Sequence, residues 1–172
     1  YKPADPEHFL DHWIDGAPAA GEEDMPVTYV SYEDAKAYAK WAGKRLPTEK
    51  EWQYAAQAGD GRRYPWGDTM DSTRCNTGNG ILDPVGKYPQ GANPLGIEEL
   101  VGSVWQMTAD WYRSGITSFI MLKGSPYFKT NSSWWYVRGG ALPLTNRQQW
   151  IRLSQGYERN GTVGFRLVKD AQ

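Results

Sequence analysis

Few side chains in this sequence are suited to redox or metal chemistry. The chain contains a single cysteine, Cys75, and two histidines, His8 and His12. One thiol cannot form an intramolecular disulfide. The histidines stand four residues apart, which would place both on one face of a helix, although Pro6 precedes them and a third ligand is lacking nearby. The nucleophile elbow, the phosphate loop and the dinucleotide fingerprint are absent from the sequence.

Composition limits the remaining functions. A length of 172 residues predicts one domain over residues 1–172, with an irregular lead-in over 1–25. The net charge is −1 and no basic stripe is visible, so nucleic acid is not an expected partner. No apolar run approaches the roughly 20 residues that a membrane helix requires. The chain begins at Tyr1 without a signal-peptide pattern, and we expect a piece of a longer protein. Its compartment is not readable, and an extracytoplasmic one is compatible with the sequence.

Local signals predict two short helices followed by strands. Ser31 is a suitable N-cap for a helix over residues 32–42, and Thr48 with Glu51 forms a capping box for a second helix that ends near Gly59. Turn-forming residues are dense from there to Gly96. Helices early and strands late indicate an α+β fold with an antiparallel sheet and much irregular loop structure. The predicted strands cover residues 101–111, 134–138, 149–153 and 163–168.

Five motifs occur in a defined order along the chain. They are Leu46–Trp52, Tyr64–Asp68, Asn93–Trp105, Arg138–Gly140 and Gly164–Arg166. In this order they resemble the formylglycine-generating enzyme family, also called the sulfatase-modifying factor family. The resemblance covers about residues 26–168 and implies a variant of the C-type lectin fold. Members usually carry a strand region ahead of the point where this chain begins.

Two calcium sites are implied by the resemblance. The first would use Glu99 and Gln106 side chains with the backbone oxygens of Gly102 and Val104. The family has a carboxylate where Gln106 stands, so fewer charges would face the ion and binding would be weaker. The second site would use Asn76, the carbonyl of Thr77 and a partner between residues 79 and 83. The other interpretation is that these side chains only cap turns.

Copper binding is not expected. The oxidases that the sequence resembles hold copper through two thiolates after the double glycine, because soft ligands hold Cu(I). Leu144 and Gln149 stand close to where the resemblance would place those thiolates, and Cys75 lies far upstream. These residues predict a domain without the family's own catalytic centre.

The sequence therefore favours a non-catalytic domain that recognises a protein or a glycan, with calcium as a stabilising ion. The alternative is a divergent oxidoreductase of the sulfatase-modifying factor family, or the partner domain of one. Aromatic residues make up 14% of the chain, and rigid aromatics beside amides suit a binding surface as well as a core. The candidate ligand-binding residues are Trp134, Trp135, Leu144, Asn146, Gln149, Trp150 and Tyr157.

Overall fold

The computed structural model describes residues 1–78, 80–128, 140–152 and 158–171. Two helices come first, and the strands follow in the second half, which confirms the α+β class and the two early helices. The predicted strand at 134–138 lies outside the described residues. In chain order, the elements are α1 (Tyr32–Trp41), α2 (Glu49–Gln57), a 3-10 turn (Pro89–Gly91), β1 (Trp105–Ser114), β2 (Thr117–Lys123), β3 (Arg147–Arg152) and β4 (Val163–Phe165).

Both helices begin with the capping box that the sequence predicts. At α1, the Ser31 hydroxyl accepts from the Asp34 backbone N–H at 3.2 Å, and the Asp34 carboxylate accepts from the Ser31 N–H at 2.8 Å. The same reciprocal pair forms between Thr48 and Glu51 at α2. Each box satisfies two backbone donors that a helix start leaves without partners. Ala58 then ends α2 in the left-handed conformation, with φ of 52°.

The four-stranded sheet has the order β3-β2-β1-β4. β2 pairs antiparallel with both β1 and β3, so the sheet is mainly antiparallel as predicted, and the short strand β4 adds a parallel pairing with β1. Strand β2 was not predicted, although its apolar run lies between Gly115 and Gly124. β1 begins at Trp105 and not at residue 101, because the chain turns at Gly102, where φ is 81° and a Cβ would lie 2.3 Å from the Asn76 carbonyl oxygen.

The two faces of the sheet are packed differently. Ile120 and Leu122 of β2 contribute to a first apolar cluster that also contains Tyr32 and Ala35 of α1. A second cluster gathers Trp52 and Ala56 of α2 with loop residues and with Leu144. Since side chains alternate along β2, Lys123 and Met121 face away from the first cluster. The end of the sheet at Lys123 is therefore covered by α2.

The lead-in is held against α1 by a buried ion pair. Arg159 Nη2 lies 2.8 Å from the Asp34 carboxylate, and the two side chains are 2% and 4% exposed. Arg159 also donates to the backbone carbonyls of Asp5 and Glu7, at 2.7 and 2.5 Å. His8 and His12 lie in the turns of this lead-in and not on a common helix face. Within the described residues, no group of three or more His, Cys, Asp and Glu side chains is arranged to hold a metal ion.

Candidate functional site

The predicted ligand-binding residues differ in burial, and some of them lie outside the described residues. Trp134, Trp135 and Tyr157 lie outside the described residues. Leu144 is fully buried in the second apolar cluster, so its assignment to a ligand-binding surface needs correction. The apolar contacts that bury Leu144 come from residues far away in the sequence, and a single sequence does not reveal those contacts.

Trp150 combines a core role with partial exposure. Its ring packs against the first apolar cluster, and its indole N–H donates to the Glu158 carbonyl at 3.1 Å. This arrangement satisfies the polar edge of the ring while its body fills the core. Trp150 therefore anchors β3 to the domain and positions the residues beside it.

Strand β3 forms one edge of the sheet in the described part of the chain and presents Arg147, Gln149 and Ile151 on one face. These three side chains are exposed, while Asn146 is half-buried just before the strand. Arg147 lies 3.4 Å from the Glu49 carboxylate of α2. The face offers a guanidinium, an amide and an apolar side chain in a row, on a strand that Trp150 anchors to the first apolar cluster.

Gln106 occupies the centre of a buried polar layer beneath α2. Its side-chain oxygen accepts from the Trp52 indole N–H at 2.6 Å and from Arg166 Nε at 2.5 Å. Its side-chain nitrogen donates to the Glu99 carbonyl at 2.7 Å. Arg166 also donates to the carbonyls of Glu98 and Glu99, at 3.0 and 3.1 Å. The amide therefore joins α2, β1 and the segment after β4 in one network.

The first predicted calcium site does not fit the ion in this arrangement. The Arg166 guanidinium already donates to one of the site's four predicted oxygens, Gln106 Oε1, and burial lowers the pKa of Arg166 to about 10 although the Glu99 carboxylate opposes the shift. The Glu99 carboxylate instead accepts from the Gly86 N–H at 3.3 Å, and burial raises its pKa. Gly102 and Val104 lie in the turn that leads into β1. A divalent cation placed here would be repelled by Arg166.

At the second predicted site, an amide and a carboxylate meet. Asn76 Nδ2 lies 3.0 Å from Asp83 Oδ2 and 2.7 Å from the Ile81 carbonyl oxygen. The Tyr88 hydroxyl donates to the same carboxylate at 2.8 Å, and Lys87 forms an ion pair with it. Thr77 is exposed beside Asn76. The Asp83 carboxylate and the Ile81 carbonyl are hard oxygens of the kind that calcium prefers, whereas the Asn76 amide oxygen accepts from the Gly78 N–H at 3.0 Å and Lys87 competes for the carboxylate.

Lys123 is a buried cation that the sequence analysis missed. Its side chain is 1% exposed; Nζ donates to the Gln53 amide oxygen at 2.5 Å and lies 5.4 Å from the Trp52 ring centroid. Burial lowers the pKa of Lys123 to about 8, with the Arg147 guanidinium acting in the same direction and Glu49 against it. The sequence signal for this buried cation was a lysine at the end of the apolar run in β2. The nitrogen of the Gln53 amide is buried and has no hydrogen-bond partner in the described residues.

Cys75 is placed where it cannot easily act as a thiolate. It is 3% exposed and belongs to the same apolar cluster as Leu144. Burial raises the pKa of its thiol to about 11, and the Asp71 and Glu99 carboxylates add to the shift. Because the thiolate is the nucleophile and the metal ligand, Cys75 is unreactive at neutral pH.

Comparison with known proteins identifies the family. The sulfatase-modifying factor enzyme 1-like domain matches residues 2–171, so the chain belongs to that family. The crystal structure of CarF matches the fold with a TM-score of 0.71, at 22% identity, over 90% of this chain and 72% of that one. This likeness agrees with the mixed helix and sheet architecture described above.

The named relatives include enzymes and one protein that is named as an inactive enzyme. The hercynine oxygenase of Mycobacterium tuberculosis is 38% identical over 86% of this chain and 37% of its own length. The inactive C-alpha-formylglycine-generating enzyme 2 of Bos taurus is 37% identical over 62% of this chain and 40% of its length. The formylglycine-generating enzyme of Streptomyces coelicolor is 42% identical over 54% of this chain and 34% of its length. The chain thus spans about two fifths of the length of these curated relatives.

Among the described residues, the structure contains no helix with the length and apolar character that crossing a membrane would require.

Proposed function

We propose that this chain is a recognition domain of the sulfatase-modifying factor family that binds a ligand and has no thiolate redox centre of its own. The observation that carries the proposal is the chemistry of two positions. Leu144 and Gln149 stand close to where the resemblance places the copper-binding thiolates, one as a core side chain and the other as an exposed amide. Neither is a soft ligand, and the Cys75 thiol is buried with a raised pKa.

The candidate surface is the exposed face of β3. Arg147 and Gln149 present hydrogen-bond donors and an acceptor, and Ile151 adds apolar area. The strand is anchored by Trp150, whose indole is engaged with the Glu158 carbonyl. Side chains presented on a strand that is paired with β2 and anchored by Trp150 lose less conformational freedom on binding than side chains on an unpaired loop.

A second candidate function is favoured by the hercynine oxygenase match. Its 86% coverage of this chain and 37% coverage of the relative suggest that the chain corresponds to one domain of a larger oxygenase. In that case the chain would bind the substrate, and the remaining part of the protein would supply the oxidising centre. Both candidates give this chain a binding role, and they differ in whether the ligand is hercynine.

Titration of the intrinsic tryptophan fluorescence with hercynine, and separately with a glycan panel, tests these proposals. We expect a saturable change with one ligand class and no turnover. The Arg147→Ala/Gln149→Ala double variant should bind about tenfold more weakly, because two polar contacts are removed. A matched control is Arg113→Ala, an exposed arginine on the β1–β2 hairpin. Saturation with hercynine alone supports the oxygenase-domain candidate.

Three results would overturn the recognition proposal. The first is conversion of a substrate peptide's cysteine thiol to an aldehyde by the purified chain. The second is stoichiometric Cu(I) binding that survives a competing chelator. The third is a lack of binding across both ligand classes.

We propose further that calcium binds weakly at Asn76 and Asp83, where an amide and a carboxylate meet. Ten millimolar calcium should raise the melting temperature of the protein by a few degrees, since a ligand that binds only the folded state stabilises it. The increment should vanish in Asp83→Asn and persist in Asp15→Asn, an exposed aspartate in the lead-in. Equal increments in both variants, or none in the unmodified protein, would contradict the site.

A further inference from the structure

Glu158 is a buried acid whose carboxyl group is incompletely paired. The residue is 8% exposed, and its Oε2 atom is buried without a hydrogen-bond partner in the part of the chain that the structure describes. The backbone carbonyl of Glu158 accepts from the Trp150 indole N–H at 3.1 Å and from Asn160 Nδ2 at 3.2 Å, so the residue is held at this position. A buried oxygen without a donor is costly to charge. The Glu158 carboxyl group is therefore poised to keep its proton.

The charged groups around Glu158 do not balance its carboxylate. They are the Arg159 guanidinium beside it, Asp34 of α1 and Asp5 of the lead-in. Arg159 is already engaged, because Nε and Nη2 lie 2.9 and 2.8 Å from Asp34 Oδ2, and Nη1 donates to the carbonyls of Asp5 and Glu7. Burial raises the pKa of Glu158, with Asp34 and Asp5 adding to the shift, while its own backbone N–H and Arg159 oppose it.

The start of the lead-in closes over this group of charges. The Arg159 guanidinium lies 5.3 Å from the Phe9 ring centroid, and the Phe9 ring meets the Tyr1 ring edge-on at 6.0 Å. The Tyr1 hydroxyl donates to Asp34 Oδ1 at 3.0 Å. Side chains and backbone of residues 1–9 therefore cover the ion pair beside Glu158. When these residues move away, water reaches the charges and ionising Glu158 becomes less costly.

We propose that Glu158 makes the attachment of residues 1–9 to the domain sensitive to pH, so that these residues stay docked while its carboxyl group is protonated and are released when it ionises. The ionised carboxylate needs a partner, and Arg159 is the cation beside it. A guanidinium shared between Asp34 and Glu158 gives up its bonds to the carbonyls of Asp5 and Glu7. The lost proton passes to water.

The direction of the pH dependence follows from linkage. Burial beneath the docked lead-in raises the pKa of Glu158 above its ordinary value of 4.5, so the docked form binds a proton more tightly than the released form. Docking is therefore fully favoured below pH 4.5, and it weakens as the pH rises through the raised pKa of the docked form. This device does not depend on the recognition function proposed for β3, and each can fail without the other.

Hydrogen exchange of the lead-in between pH 4.5 and 8, read by mass spectrometry and corrected for the intrinsic rate at each pH, tests the proposal. The Phe9 N–H donates to the Pro6 carbonyl at 3.1 Å and the Leu10 N–H to the Tyr29 carbonyl at 2.9 Å, so their protection reports docking. Protection should fall with rising pH in the unmodified protein, and Glu158→Gln should lose this fall. Comparison at each pH cancels the other titrating side chains of the lead-in, which include His8, Asp11 and His12.

The matched control is Glu23→Gln, which removes the same charge from an exposed position in the lead-in and should keep the pH dependence. Glu158→Met has an uncharged side chain of similar length; it should behave like Glu158→Gln and replaces that variant if the latter does not fold. Three outcomes contradict the proposal. Protection in the unmodified protein stays constant or rises with pH, the fall persists in the Glu158 variants, or Glu23→Gln abolishes the fall as well.

Discussion

Replacing Lys123 with methionine is expected to stabilise the protein at pH 7 by about 2 kcal/mol. The folded pKa of about 8 lies below the ordinary value of 10.5, and this difference corresponds to about 3 kcal/mol of penalty for burying the charged form. The hydrogen bond to Gln53 and the contact with Trp52 offset about 1 kcal/mol of that penalty. Methionine has a similar length and leaves no buried charge.

The stability gained in Lys123→Met should depend on pH between about 8 and 10.5. Below pH 8, Lys123 is protonated in both the folded and the unfolded chain, so the whole penalty is present. Between pH 8 and 10.5 the unfolded chain binds more protons than the folded one, so the free energy of unfolding rises with pH. Above this window the lysine is neutral in both states. The advantage of Lys123→Met should therefore shrink as the pH rises through the window.

Urea unfolding of the two proteins at pH 7, 8, 9 and 10 measures this difference. The matched control is Lys50→Met, which removes the same charge from an exposed position on α2 and should change the free energy of unfolding by less than about 0.5 kcal/mol. Comparing variants at each pH cancels the titration of tyrosines and other shared groups. If the difference in the free energy of unfolding between the two proteins is the same at every pH, or if Lys123→Met is less stable, burial does not destabilise the charged ammonium group.

Replacing Arg159 with alanine is expected to destabilise the protein by about 3–5 kcal/mol, because the change leaves the Asp34 carboxylate buried without its partner. Asp34 also accepts from the Ser31 N–H and from the Tyr1 hydroxyl, so the loss reaches both the start of α1 and the lead-in. The carbonyls of Asp5 and Glu7 lose their donor as well. Residues 1–9 should then become accessible to proteases.

Chemical denaturation and limited proteolysis together test this role. Arg159→Lys keeps a positive charge but cannot reach all of the same acceptors, so it should lie between the unmodified protein and Arg159→Ala. Arg113→Ala, which removes an exposed guanidinium, should change stability by less than about 0.5 kcal/mol. If the lead-in is cleaved early while the free energy of unfolding stays unchanged, Arg159 only holds the lead-in in place and does not stabilise the whole domain.

Prediction from sequence succeeded where the signal was local. Ser31 and Asp34, or Thr48 and Glu51, are three residues apart, and each pair closes a helix start by itself. The five ordered motifs were enough to indicate the family, which the match over residues 2–171 confirms. The predicted strands near residues 105 and 149 also exist, with shifted bounds.

Prediction failed where long-range contacts decide the outcome. Leu144 follows a double glycine like a loop residue, but it is drawn into a cluster built by Trp52, Leu100 and Val101. Strand β2 owes its position to pairing with β1 and β3 on both sides. The parallel pairing of β4 could not be read from an alternation pattern that parallel and antiparallel strands share.

The sequence alone determined the helix starts, the class of fold, the family and the lack of a thiolate pair, because each depends on residue types or on neighbours within a few positions. Tertiary structure alone decided what the polar residues do. Gln106 meets Trp52 and Arg166 across 54 and 60 residues, and Lys123 meets Gln53 across 70. Burial and distance set the charge state and the partners of these groups, and both are properties of the folded chain.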